Sequence, residues 1–100
     1  MKPMAEQETK NLDLERVARA LADPKRFEIL GLIAQSPEMS CAELIERVGL
    51  RQPTVSHHLK ELAQAGLIET RREGTCIRFE VGRDAIEAYL SALRTRFLIS

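Results

Sequence analysis

The sequence predicts a mainly α-helical domain carrying one small β-hairpin. Apolar residues recur at helical spacing through five segments, alternate with period two only near residues 67–81, and the segments break at Pro, Gly or capping residues. The 100 residues are 44% apolar but only 4% aromatic, so the core is expected to be built from Leu, Ile, Val and Ala. A domain of this size buries a modest share of its surface, which makes pairing with a second copy a natural source of further apolar burial.

Residues 1–10 (MKPMAEQETK) are polar and aperiodic and are expected to be a flexible N-terminal tail, leaving 11–100 as one domain. From Asn11 onward, Leu14, Val17, Ala18 and Leu21 predict a first amphipathic helix of about three turns. Asp23-Pro24 starts a second: the carboxylate can accept orphan N–H groups, and Pro lacks only the N–H that a first helical position does not use. Its expected inward face is Phe27, Leu30, Ile33 and Ala34, with Ile29 and Leu32 to the sides, which implies burial on more than one side. Ser36-Pro37 breaks that helix, and Ser40-Cys41-Ala42-Glu43 has the spacing of a capping box.

The third helix carries Leu44, Ile45 and Val48 and ends at Gly49; Pro53 then opens a fourth, expected from about Gln52 to Ala65. Two short helices joined by the tight turn in "VGLRQP" make a helix-turn-helix. In "LIETRREGTCIRFEV", Ile77, Phe79 and Val81 alternate with Cys76, Arg78 and Glu80, and Glu73-Gly74 separates the arms, so this stretch is expected to be the hairpin. A fifth helix from about Arg83 aligns Ile86, Tyr89, Leu90, Leu93 and Phe97. That is more apolar surface than one small core needs, and the excess reads as a dimer interface.

The fourth helix carries the candidate site. On a wheel of about 100° per residue, Leu59 and Leu62 fall within roughly 40° of Val55 and form a buried stripe. His57, Lys60 and Gln64 lie nearly opposite, Thr54 flanks them, Ser56 and His58 occupy the shoulders, and Arg51 and Gln52 stand at the N-terminal end. An exposed helix side ordinarily carries Glu and Lys; these short hydrogen-bonding groups and imidazoles suit base edges and phosphates in a DNA major groove. Arg71, Arg72 and Arg78 on the hairpin add positive charge beside them. His57 and His58 are adjacent and so point about 100° apart, which does not suit chelation by a pair.

Overall charge neither supports nor excludes a nucleic-acid partner: 15 basic residues balance 15 acidic ones, although residues 51–100 carry eight basic against six acidic. No apolar stretch reaches the roughly 20 residues of a membrane span, and the N-terminus lacks a secretory signal's apolar core, so a cytoplasmic protein without a membrane partner is expected. Two Cys do not make a disulfide framework, and both are expected as thiols. No Gly-rich phosphate loop, nucleophile motif or metal set points to an enzyme or to a cofactor. A module that docks another protein without touching DNA is the competing reading.

"LADPKRFEIL", "SCAELIERVGLRQPTVSHHLKELAQAGLIETRREG" and "IRFEV", in that order, resemble the ArsR-type winged helix-turn-helix repressors over roughly residues 11–98. The resemblance implies five helices plus a wing, and a symmetric homodimer formed by the first and last helices, with Leu14 joining the apolar residues of the last. It further implies binding to an imperfect palindromic operator in double-stranded DNA and repression until a signal releases it. DNA contact would fall to Gln52, Thr54, Ser56, His57 and Lys60, with Arg71, Arg72 and Arg78 around the wing. Many members sense metals through a Cys-x-Cys element at the third helix or through Asp, His and Glu on the last helix. Here "MSCAEL" holds only Cys41 and the last helix has no His or Cys, so no metal site is expected. Such folds commonly pair the segment before the third helix with the second hairpin arm. That would bring Cys41 near Cys76, and the two thiols are the candidate redox-sensing pair.

Overall fold

The computed structural model describes residues 13–98. The tail expected over residues 1–10, the start expected for the first helix at Asn11 and the last two residues of the chain lie outside that range.

Local chemistry sets the helix boundaries. Helix α1 spans Leu14–Ala22, and the Asp13 side chain caps it by accepting from the Arg16 N–H at 3.1 Å. Helix α2 spans Pro24–Gln35; Asp23 accepts from the N–H groups of Lys25 and Arg26, with Pro24 in the first turn as expected. Helix α3 spans Cys41–Val48 and opens with both halves of the Ser40–Glu43 capping box, at 3.1 and 2.9 Å. It ends at Gly49, whose φ of 77° lies in the left-handed region that glycine adopts without a Cβ penalty. Helix α4 spans Gln52–Gln64. Strands β1 (Ile68–Glu73) and β2 (Cys76–Val81) form an antiparallel hairpin running from the Ile68–Val81 pair to the Glu73–Cys76 pair. Helix α5 spans Arg83–Leu93 and continues into a π-helical turn, Arg94–Leu98. The fold is thus mainly α, with five helices and a two-stranded wing.

The core lies where α1, α2, α3 and α4 meet the base of the wing. Ile29, Leu44, Leu62, Leu67, Val17 and Val55 are its largest fully buried side chains. Two expected faces shift. In α1 the buried small residue is Ala20, and Ala18 is exposed. In α2 the buried pair is Ile29 and Ile33, while Phe27 is 60% exposed and Ala34 is exposed as well. Because α2 is apolar around most of its circumference, periodicity offers two stripes; the helix packs against α1, α3, α4 and β2, and the β-branched pair is what that packing buries. The hairpin forms as expected, but its burial does not alternate between faces; it fades from base to tip: Ile68 is buried, Phe79 and Val81 pack on the core, the rest of β1 is exposed, and Ile77 is 42% exposed.

Candidate nucleic-acid interface

Helix α4 is anchored along one side. Val55, Leu59 and Leu62 are buried, as the wheel predicts, and at the helix's end Gln64 Oε1 accepts from Arg16 Nη1 of α1 at 2.9 Å. Its remaining anchor is polar. His58 is 8% exposed, and its Nδ1 lies 3.3 Å from Arg26 Nη1. A guanidinium only donates, so Nδ1 accepts and the neutral ring carries its proton on Nε2. The shoulder position that the wheel gives His58 is thus buried, and its ring engages a side chain of α2. Arg26 also donates from Nε to the Ala20 carbonyl at 3.1 Å and faces Asp23 at 3.9 Å. One guanidinium therefore joins the end of α1, the cap of α2 and the middle of α4.

This cluster makes stability pH-dependent. Burial holds the His58 pKa below its ordinary 6.5, with Arg26 adding in the same direction and Asp23 opposing. The Arg26 backbone N–H holds the Asp23 carboxyl below its ordinary 3.8, aided by the Arg26 charge. Both groups bind a proton more weakly folded than unfolded, so their stabilisation is complete above the ordinary values and is lost as pH falls from those values through the lowered folded ones. Unfolding free energy is expected to fall in the window just below the ordinary histidine value of 6.5, where His58 dominates. His58→Gln keeps an acceptor for Arg26 and does not titrate, so it should flatten urea-unfolding midpoints across that window. A variant with the wild-type profile would contradict the assignment.

The opposite side of α4 is open. Arg51, Gln52, Thr54, Ser56, His57 and Lys60 are all exposed and form a continuous surface from the N-terminus across the first turns. Asp13, Asp23 and Ser40 cap α1, α2 and α3 with side chains, whereas Arg51 makes no side-chain cap on α4. Its first N–H groups, from Gln52 and Thr54, are available to an anion, and the helix dipole favours a phosphate there.

The three wing arginines differ. Arg71 pairs with Glu80 and stands 3.7 Å from Glu73. Arg78 donates from Nε to Glu73 at 2.8 Å and from Nη1 to the Glu38 carbonyl at 2.7 Å. Among the described residues, Arg72 has no ion-pair partner, nor do Arg51 and Lys60.

The expected strand pairing before α3 is absent among the described residues: the sheet has two strands, and the Arg78–Glu38 bond links that segment to β2 instead. Cys41 is half-buried, Cys76 is exposed, and both are free thiols. No group of three or more His, Cys, Asp or Glu among the described residues could hold a metal ion. The residues assigned to a dimer face divide. Ile86 and Tyr89 pack against the core and Leu14 is half-buried, while Leu90, Leu93 and Phe97 are exposed, joined by Leu98. Sequence reasoning missed Leu98, and it missed Arg26, whose partner His58 lies 32 residues away with no local signal.

A helix-turn-helix whose second helix presents uncapped, polar first turns, followed by a β-hairpin wing, defines a winged helix-turn-helix of the nucleic-acid-binding class. The family model "Helix-turn-helix domain" matches residues 21–71. The chain is 43% identical over 67 residues to a probable mercury resistance operon repressor of Streptomyces lividans, covering 67% of this chain and 53% of that relative, or about half its length. It is 32% identical to the arsenical resistance operon repressor of Staphylococcus xylosus, over 75% of this chain and 71% of that one. Its fold is similar to a homodimeric winged helix-turn-helix DNA-binding domain (fragment 1–100) from Mycobacterium bovis, a possible ArsR-family transcriptional regulator. That likeness has a TM-score of 0.68 at 29% identity, and covers 99% of this chain and 94% of the other. The chain belongs to the ArsR family of winged helix-turn-helix transcriptional regulators. No helix among the described residues is long and apolar enough to cross a membrane.

Proposed function

We propose that this protein is a homodimeric, cytoplasmic transcriptional repressor that reads an imperfect palindrome in double-stranded DNA through α4 and the wing. The observation that carries the proposal is the asymmetry of α4. One side is held by Val55, Leu59, Leu62 and His58, while Arg51, Gln52, Thr54, Ser56, His57 and Lys60 occupy the free side and the uncapped N-terminus. Relatives described as operon repressors support repression, and a homodimeric domain of the same fold supports pairing.

The contacts divide by chemistry. Lys60 and Arg72 neutralise phosphates, which are the same at every base pair, whereas Gln52 and His57 meet base edges. Lys60→Ala and Arg72→Ala should weaken binding about equally on operator and unrelated duplexes, each lowering the salt slope by about 1. Gln52→Ala and His57→Ala should change which bases are preferred. Anisotropy titrations on an operator and its single-base variants check this, and four equal, sequence-independent losses would contradict the division. Absence of any salt-dependent DNA affinity in the wild type would favour a protein-docking module.

The releasing signal is oxidation of Cys41 and Cys76. The bond from Arg78 to the Glu38 carbonyl joins the strand that starts at Cys76 to the segment that leads into Cys41. A peroxide would take two electrons and two protons from the thiols, forming one S–S bond and water. Unreactive thiols and unchanged DNA affinity after peroxide would remove this assignment.

A further inference from the structure

The hairpin register sorts the wing's charges. Glu69, Arg71 and Glu73 of β1 share one face with Glu80, Arg78 and Cys76 of β2, and Arg72 lies on the other face, opposite Ile77. Arg71 sits directly across from Arg78, a like-charge pair that would repel without the carboxylates around it. Those carboxylates are engaged: Glu80 and Glu73 hold Arg71, and Glu73 also holds Arg78. This face thus places three carboxylates against two guanidiniums, and both guanidiniums are already partnered.

Arg78 has a second commitment. Its Nη1 donates to the Glu38 carbonyl, 40 residues away in the connector that leads into the Ser40 cap of α3. The planar fork thus spans a carboxylate on the wing and a backbone oxygen on the helix-turn-helix, an arrangement that suits guanidinium and not ammonium. Nothing of this kind restrains Arg72, which is exposed and has neither an ion pair nor a side-chain hydrogen bond among the described residues.

We infer that Arg78 is a positioning residue that fixes the wing against the α2–α3 connector, and that Arg72 is the wing arginine that meets a DNA phosphate. The inference rests on the DNA-binding reading and refines it, because the sequence alone gives Arg71, Arg72 and Arg78 the same role.

The test is the dependence of DNA affinity on salt for wild type, Arg72→Ala, Arg78→Ala and Arg78→Lys, each first checked as folded by circular dichroism. Every neutralised phosphate contributes about 0.9 to the slope of log affinity against log salt. Arg72→Ala should lose affinity and flatten the slope by about that amount. Arg78→Ala should lose affinity at an unchanged slope, and Arg78→Lys should fail to restore it, since charge without the fork does not hold the connector. A slope flattened by Arg78→Ala and restored by Arg78→Lys would overturn the inference while leaving the DNA reading intact. A wild type with no salt-dependent binding would overturn the reading itself and the inference with it.

Discussion

Gly82→Ala is expected to destabilise the domain by about 3 kcal/mol or more, the upper range for overpacking, because the clash is with backbone. A Cβ at this position would lie 1.9 Å from the Gly66 carbonyl oxygen, 3.0 Å from its carbon and 3.2 Å from the carbonyl carbon of Leu67. None of these atoms can rotate away as a side chain would. The backbone of Gly82, at φ −79°, is open to any residue, so the demand is for space rather than for an unusual dihedral. The Gly82 N–H also donates to the Leu67 carbonyl at 2.7 Å, so relieving the clash would stretch a short hydrogen bond. The contact joins the turn that ends α4 to the residue that caps α5, which ties α4 to the helix carrying the exposed apolar side chains. Urea unfolding measures the effect, and a variant within about 0.5 kcal/mol of wild type would show that the junction yields easily.

Leu93→Glu and Phe97→Glu are each expected to produce a folded monomer with operator affinity lowered by about 10²–10⁴-fold, the gain that linking two half-site readers provides. Leu90, Phe97 and Leu98 are 59%, 72% and 73% exposed and Leu93 is 36% exposed, a run of large apolar side chains at the end of α5 and its π-helical turn. Large apolar side chains left exposed this close together suit pairing, and a carboxylate among them would be desolvated without a partner. Neither residue belongs to the buried core, so the monomer should keep its helical content. Sedimentation velocity with circular dichroism tests both halves. Variants that remain dimeric would move the interface elsewhere.

Much of the architecture was legible because its signals are local. Asp23-Pro24, the Ser40–Glu43 box, Gly49 and Pro53 each satisfy or terminate a helix end within four residues, and the structure places helix boundaries at them. The buried stripe of α4 was legible for a related reason: Val55, Leu59 and Leu62 are its only large apolar residues. The face of α2 was not, since a helix apolar on several sides offers no unique stripe, and packing chose Ile29 and Ile33 over Phe27. Long-range polar contacts were the least accessible. Arg26 meets His58 across 32 residues and Arg78 meets Glu38 across 40; in sequence Arg26 looks like ordinary surface charge, and Arg78 is indistinguishable from Arg71 and Arg72. The demand on Gly82 is equally silent, because it arises from the approach of Gly66 and Leu67 and not from its own dihedrals.

DNA reading by α4 is tested by selection of the purified protein against a pool of random DNA duplexes, run in parallel with the Gln52→Ala, His57→Ala double variant. The wild type should enrich an inverted repeat with half-sites about one helical turn apart, and the double variant should lose or change the preferred bases. A pool that stays random with the wild type, or an enriched sequence that the double variant selects unchanged, would contradict the claim that the first turns of α4 read DNA.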